Sequence, residues 1–213
     1  RFEGFVYRFT RGDDLAALWL SLGELCRAHG GVGEALRALD EPGEPELLGL
    51  LTRLYDELSV GLERRLKGEP EAVKGRCRGG RGYAHLLSNP RGGSALKRLN
   101  MLMRWMVRGP DEVDLGQWSW LGAHRLTIPL DAHVFRTARA LGLTQRGSAS
   151  WRAAREVSEG LACLDPLDPT RYDFALAHLG ISGECVGYRV EERCARCALE
   201  PLCTLKAKAP KRA

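Results

Sequence analysis

Near its end the chain carries four cysteines spaced Cys185-x8-Cys194-x2-Cys197-x5-Cys203. Four thiolates within 19 residues can converge on one inorganic centre, because the short x2 and x5 loops let the backbone wrap it closely. A structural zinc site prefers two paired C-x2-C knuckles, and this box has only one. A 4Fe–4S cube takes four thiolates at uneven spacings more readily. The spacing therefore leads us to expect an iron–sulfur cluster, with zinc as the alternative. Disulfides are not expected, since nothing in the sequence marks the chain as secreted. Of the other three cysteines, Cys26 and Cys163 fall on expected helices and read as small core residues. Cys77 lies alone in a basic connection.

A second feature is electrostatic. From Ala72 to Pro110 there is no Asp or Glu, while Lys74, Arg76, Arg78, Arg81, Arg91, Lys97, Arg98, Arg104 and Arg108 supply nine cations. The whole chain is only at +5, from 32 Lys and Arg against 27 Asp and Glu, so this is a local concentration. Such an island suits a polyphosphate partner, because neutralising phosphates releases condensed counterions. The alternative is a solvated basic face. Nucleic acid is the expected partner.

These residues need a scaffold. The 213 residues, 44% hydrophobic and 28% charged, suffice for one sizeable domain or two small lobes with a real core. No apolar run approaches the 18 or so residues that span a bilayer. No basic-then-apolar leader is seen either, so a cytoplasmic, nucleoid-associated monomer is expected. The periodicity is helical almost throughout. Leu15, Leu18, Trp19, Leu22 and Leu25 mark a helix over 13–29, with Asp13 and Asp14 in its first turn and Gly30-Gly31 at its end. A short helix follows at 33–40, then a Pro42-Gly43 break and a longer helix over 45–67. Residues 68–93 read as an irregular basic connection with a helical turn near 83–88. Ser94 is expected to cap a helix at 95–108, which Gly109-Pro110 ends. Further helices are expected at 114–122, 132–141, 148–163 and 170–179. Residues 2–9 read as helix or extended lead-in, and a basic tail closes the chain. The fold class is all-α.

Two segments carry a family resemblance. ISGECVGYRVEERCARCALEPLCTLKAK (181–208) resembles the C-terminal iron–sulfur loop of the endonuclease III and MutY glycosylases, with eight residues instead of six after its first cysteine. IPLDAHVFRTARALGL (128–143) resembles the segment in which helix-hairpin-helix DNA glycosylases open a helix with an aspartate. With SNPRGGSALKRLNMLMRWMVRG (88–109), the chain looks like a bacterial branch of that superfamily labelled as a domain of unknown function, similar to the archaeal 8-oxoguanine glycosylases. The resemblance implies two helical lobes, with a glycosylase domain over 1–180, a cluster loop over 181–208 and a tail over 209–213. An N-terminal segment usually completes the iron–sulfur lobe in this superfamily, so a chain truncated at its start is expected.

The resemblance also directs attention to particular side chains. Asp131 is the first candidate: its carboxylate could stabilise oxocarbenium character at the sugar as the base departs. It also reads as a plain N-cap, and the two roles are compatible. Lys97 is the candidate nucleophile, attacking C1′ and forming a Schiff base that permits β-elimination. Its amine must be deprotonated, and Arg98 with the basic island is expected to favour that. The usual Leu-Pro-Gly-Val-Gly-x-Lys hairpin is absent, and Lys97 lies 34 residues before Asp131, a longer interval than in endonuclease III. Arg91, Gly92, Gly93 and Arg98 are expected to contact DNA phosphates, the glycines through backbone N–H groups. Arg189, Arg193, Arg196 and Lys206 are expected to present the cluster loop to the DNA backbone. Trp105, Trp118, Trp120, His133 and Phe135 are candidates for a flipped-base slot, though such residues more often belong to a core. His178 reads as core or as support for the cluster.

The expected function is therefore excision of an oxidised base, foremost 8-oxoguanine, from double-stranded DNA, with lyase activity through Lys97. Three rivals remain open. One is a monofunctional glycosylase in which Asp131 activates water. Another is a non-catalytic iron–sulfur DNA-binding module, and the last a zinc-stabilised RNA-binding protein.

Overall fold

Helix α1 (Gly12–His29) begins where the sequence signals place it: the Arg11 N–H donates to Asp14 Oδ2 at 2.7 Å, closing the first turn. It ends at Gly30, whose backbone is left-handed (φ 90°) and whose N–H returns to the Cys26 carbonyl at 2.8 Å. Helices α2 (Val32–Leu39) and α3 (Leu47–Leu66) follow, separated by the turn at Pro42-Gly43. Leu47, Leu50, Leu51, Leu54, Leu58, Leu62 and Leu66 form the buried stripe of α3, at the three-to-four spacing that one helix face requires. With Leu25, Leu36 and Tyr83 they make the core of the first of two compact units, residues 1–94 and 95–213.

The computed structural model describes residues 4–68, 71, 74 and 81–205. Arg76, Cys77, Arg78, Lys206 and the basic tail lie outside the described residues. Residues 4–11 correct the expectation of a helix or extended lead-in. They form a hairpin of β1 (Val6–Tyr7) and β2 (Thr10–Arg11), with Val6 opposite Arg11 and Tyr7 opposite Thr10. The left-handed backbone at Arg8 (φ 55°) lets so short a turn close. Helix α4 (Arg81–Leu86) and a 3-10 turn (Pro90–Gly92) complete the unit.

The second unit holds α5 (Lys97–Val107), α6 (Ala132–Ala140), α7 (Trp151–Ala162), α8 (Asp173–Ile181) and the short α9 (Glu191–Cys194). Its core is small and branched: Ile128, Leu130, Val134, Ala138, Ala153, Ala154, Val157, Leu161 and Leu176 pack together. Helices α6 and α8 approach closely, since a Cβ on Gly180 would stand 2.8 Å from that of His133. Two helix starts are capped as their residue types demand, α6 by Asp131 and α7 by Ser150.

Two expectations fail here for local reasons. Ser94 does not cap α5; the helix starts at Lys97 behind Leu96, itself left-handed (φ 49°), and Asn100 reaches back to bond the Ala95 carbonyl at 3.0 Å. Residues 114–122 are not helical, because their backbone groups bond elsewhere: Leu115 N–H donates to the Trp105 carbonyl and Trp118 N–H to that of Met106. At Gly116 (φ 61°) the chain passes so near Gly109 that a Cβ would lie 2.7 Å from its carbonyl carbon. The described fold is thus mostly α-helical with one small hairpin. No helix among the described residues is long and apolar enough to cross a membrane.

Candidate active site

At 100° per residue, positions 104 and 108 fall about 20° to either side of position 97, so Lys97, Arg104 and Arg108 form one stripe of α5. Most of that stripe is neutralised internally. Arg104 Nη1 donates to Asp173 Oδ2 at 2.6 Å, and its Nη2 lies 3.3 Å from Asp114 Oδ2. Arg108 also donates to Asp114, and its Nε donates to Asp168 Oδ2 at 2.7 Å. The side chains of Arg104, Asp114 and Asp173 are 8%, 0% and 5% exposed, so this is an internal ion network and not a surface patch. Burial works against the Arg108 charge, and Asp168 and Asp114 more than offset it, raising its pKa. Arg104 and Arg108 therefore leave the cationic face that the charge island suggested.

Lys97 heads the stripe, half-buried, immediately after the left-handed Leu96. A branched side chain in that backbone region costs on the order of 1–3 kcal/mol and is held there only by its surroundings. Asp131 is half-buried at the N-terminus of α6, where its Oδ1 accepts the N–H groups of His133 (2.8 Å) and Val134 (2.9 Å). Both bonds fall on one oxygen, so Oδ2 lies outside the cap.

The third member of the group was missed in the sequence. Asp173, which lies within the helix expected over 170–179 and was not singled out, is buried. Burial pushes its carboxyl above the usual carboxylate range; Arg104 opposes this, the Asp131 charge adds to it, and the Lys97 charge acts the other way. The signal that could have found it is the stripe itself: three cations on a face whose neighbours Leu99, Met103 and Val107 are buried must meet acids from elsewhere.

The remaining expected DNA contacts are more engaged than their residue types suggest. Arg91 donates both Nη groups to Asp56 at 2.7 Å, in an exposed pair in the first unit. The Gly92 and Gly93 N–H groups donate to the Asn89 and Pro90 carbonyls, within the turn. Arg98 is exposed. In the cysteine loop, Arg189 bonds Glu191 and Glu200, Arg193 donates to the Gly183 carbonyl, and Arg196 to that of Glu192.

Cys185, Cys194, Cys197 and Cys203 line one cavity of about 40 Å³, whose walls include Val186, Tyr188, Val190 and Leu205. All four are half-buried and none is in a disulfide. The loop is held locally by the Cys197 N–H on the Cys194 carbonyl and the Cys203 N–H on that of Glu200. It is tied to α6 by Thr204, whose N–H and hydroxyl both donate to the Ala140 carbonyl, at 2.7 and 3.1 Å. Among the described residues no set of three or more His, Cys, Asp or Glu side chains is grouped as a single metal ion would require. Four thiols around one small apolar-walled cavity nonetheless suit the donor chemistry of an iron–sulfur cluster.

Cys26 and Cys163 are corrected from core to exposed: Cys26 sits on the solvent face of α1 and Cys163 is the C-cap residue after α7. His178 is likewise exposed, stacked on Phe174 at 5.9 Å between ring centroids. Among the aromatic candidates Trp118 is buried and Trp105 exposed. Phe135 packs against the second core with Arg139 over its ring.

The protein is mostly helical, and its second unit holds the buried ion network of Arg104, Asp114 and Asp173 and a four-thiol cavity. Over residues 1–182 the chain matches the family described as "Protein of unknown function (DUF2400)", and it belongs to that family. The matched span contains Lys97, Asp131 and Asp173 and ends before Cys185. No curated protein and no solved structure matches the chain.

Proposed function

We propose that this chain is a DNA glycosylase of the helix-hairpin-helix type that excises an oxidised base, 8-oxoguanine foremost, from double-stranded DNA. One observation carries the reading: Asp131 is fixed at the start of α6 by two N–H bonds on Oδ1 that leave Oδ2 outside the cap, in the same unit as Lys97 at the start of α5. An amine and a carboxylate are what base excision with lyase chemistry requires. The deprotonated Lys97 amine attacks C1′ of the flipped nucleotide as the C1′–N bond breaks, and the base leaves with the electron pair and takes up a proton. Asp131, fixed by its cap bonds, offers Oδ2 to the positive charge that develops on the sugar. Loss of the ring oxygen from C1′ then leaves a Schiff base on Lys97, from which β-elimination breaks the strand.

Cys185, Cys194, Cys197 and Cys203 would hold a 4Fe–4S cluster whose contribution is structural, cross-linking the loop that Thr204 ties to α6. The test is incubation with an 8-oxoguanine duplex. Wild type is expected to release free base and nick the strand; Lys97→Gln should bind the duplex equally and nick nothing. Equal nicking by the variant contradicts the role of Lys97. Purified protein is expected to be brown with thiolate-to-iron absorption, lost in Cys197→Ser; a colourless protein containing zinc contradicts the cluster.

A further inference from the structure

The β1–β2 hairpin of the first unit turns its apolar side chains outward. Phe5, Val6, Tyr7 and Phe9 are between 42% and 69% exposed, so four apolar side chains stand in water within five residues. Single exposed apolar residues are ordinary, but a contiguous cluster marks a binding surface. We propose that this hairpin is a stacking platform for the unpaired bases of a nucleic-acid strand, with Arg8 and Arg11 meeting the phosphates. The platform lies apart from Lys97 and Asp131 and does not depend on the reaction assigned to them.

The hairpin is anchored from beneath. Thr10, paired with Tyr7 across the strands, is buried; its hydroxyl donates to the Gly82 carbonyl at 3.4 Å and lies 3.4 Å from His85 Nδ1. The Gly12 N–H donates to the Phe5 carbonyl at 3.1 Å and closes the open end. The backbone of the turn rests on α4, where a Cβ on Gly82 would stand 2.5 Å from the Phe9 carbonyl oxygen. The Phe9 ring meets His85 edge-on, with centroids 6.0 Å apart. A surface held in this way gives up little freedom on binding.

Charge decides what covers the rings. Residues 4–12 contain two arginines and no acid. The Arg8 guanidinium lies 5.5 Å over the Tyr7 ring, and among the described residues neither Arg8 nor Arg11 forms an ion pair. Asp14, the nearest buried acid, is turned inward and accepts the Arg11 backbone N–H. Arg8 also occupies the left-handed position of the turn (φ 55°), where glycine is the unstrained choice, so the cation is held there against backbone preference. Aromatic rings interleaved with unpaired arginines suit a strand whose bases stack and whose phosphates need neutralising. Every base has a π-face, so the platform should not read sequence. An intact duplex keeps those faces stacked inside, so the platform should prefer single strands.

Two measurements on the full chain test this. A short oligothymidine carrying 5-iododeoxyuridine is illuminated with the wild type, and the crosslink is mapped by mass spectrometry. It is expected on Phe5, Tyr7 or Phe9; a crosslink on none of them overturns the proposal, and this arm needs no variant to fold. Binding of the same strand is then followed by fluorescence anisotropy against salt. Tyr7→Ala should weaken binding about tenfold, the loss of one stacked base, with the salt dependence unchanged. Arg8→Gly, which relaxes the backbone, should instead lower the slope of log affinity against log salt by about 0.7, one phosphate contact on a single strand. Both side chains are exposed, so both variants should melt with the wild type. Oligouridine in parallel assigns the strand to RNA where it binds tighter and to DNA where it does not; both support the platform. Unchanged affinity and slope in the two variants overturn it. So does unchanged strand binding in Tyr7→Ala together with loss of phosphatidylserine-vesicle binding or of a wild-type dimer, which gives the rings to a membrane or to a second copy of the chain. Wild type that crosslinks through these rings yet releases no base from a lesion duplex contradicts the glycosylase reading and supports the platform.

Discussion

Arg91 and Arg104 belong to the same acid-free run of sequence, yet they have opposite fates. Arg104 is 8% exposed and divides its guanidinium between Asp173 and Asp114, which are themselves buried. Arg91 is 56% exposed and faces Asp56, which is 47% exposed. Both are ion pairs at hydrogen-bonding distance, but water decides what each contributes. A buried pair leaves an uncompensated charge when one partner is lost, whereas an exposed pair trades its Coulomb energy for hydration. A run of arginines is therefore not a run of DNA contacts: part of it is internal scaffolding that seats the buried carboxyls of Asp114 and Asp173.

The comparison can be broken most forcefully at Arg104. Arg104→Met strips Asp173 and Asp114 of a buried partner, and should cost about 3–5 kcal/mol. For a chain of this size that lowers the melting temperature by roughly 10 °C. Calorimetry that finds the variant melting with the wild type would make the network energetically idle.

The next effect is in the pH dependence of stability. The Asp173 carboxyl, raised by burial, binds its proton more tightly folded than unfolded. Its contribution therefore favours folding at low pH, and is lost as pH rises from the ordinary carboxylate range through the raised value. The lead of wild type over Asp173→Asn in denaturant midpoint should shrink across that window. Asp56 has the opposite sign: its hydrogen bond to Arg91 lowers its pKa, so its contribution is present above the ordinary range and lost as pH falls below it. The two carboxyls should thus tilt stability in opposite directions, Asp56 weakly because solvent screens it.

The smallest effects belong to the exposed pair. Arg91→Ala should melt with the wild type, yet reduce the salt dependence of duplex binding by about one counterion. Asp56→Asn, which releases the Arg91 guanidinium, should tighten duplex binding at low salt. Titrations that find both variants binding as wild type would remove Arg91 from the DNA surface.

What was legible in the sequence follows the range of the forces involved. Helices α1, α3, α6 and α7 follow from helical apolar spacing and from end signals such as Asp13, Gly30 and Asp131. Asp131 was legible as a cap for the same reason, since its partners are two and three residues away. Residues 114–122 carry helix-like spacing of Trp and Leu, but their N–H groups bond the carbonyls of Trp105 and Met106, and no local pattern records that. Asp173 was illegible in its role because its meaning comes from Arg104, 69 residues earlier. Cys26 was misassigned because a cysteine on a helix carries no sign of which face it occupies, and Cys163 because α7 ends one residue before it.

The central claim is that Lys97 attacks the sugar of a damaged nucleotide. Borohydride trapping on an 8-oxoguanine duplex, with Lys97→Gln alongside, tests it most directly. The account predicts a covalent protein–DNA adduct with wild type that is absent from the variant. An adduct of equal yield in Lys97→Gln, or free base released by wild type with no adduct at all, would contradict it.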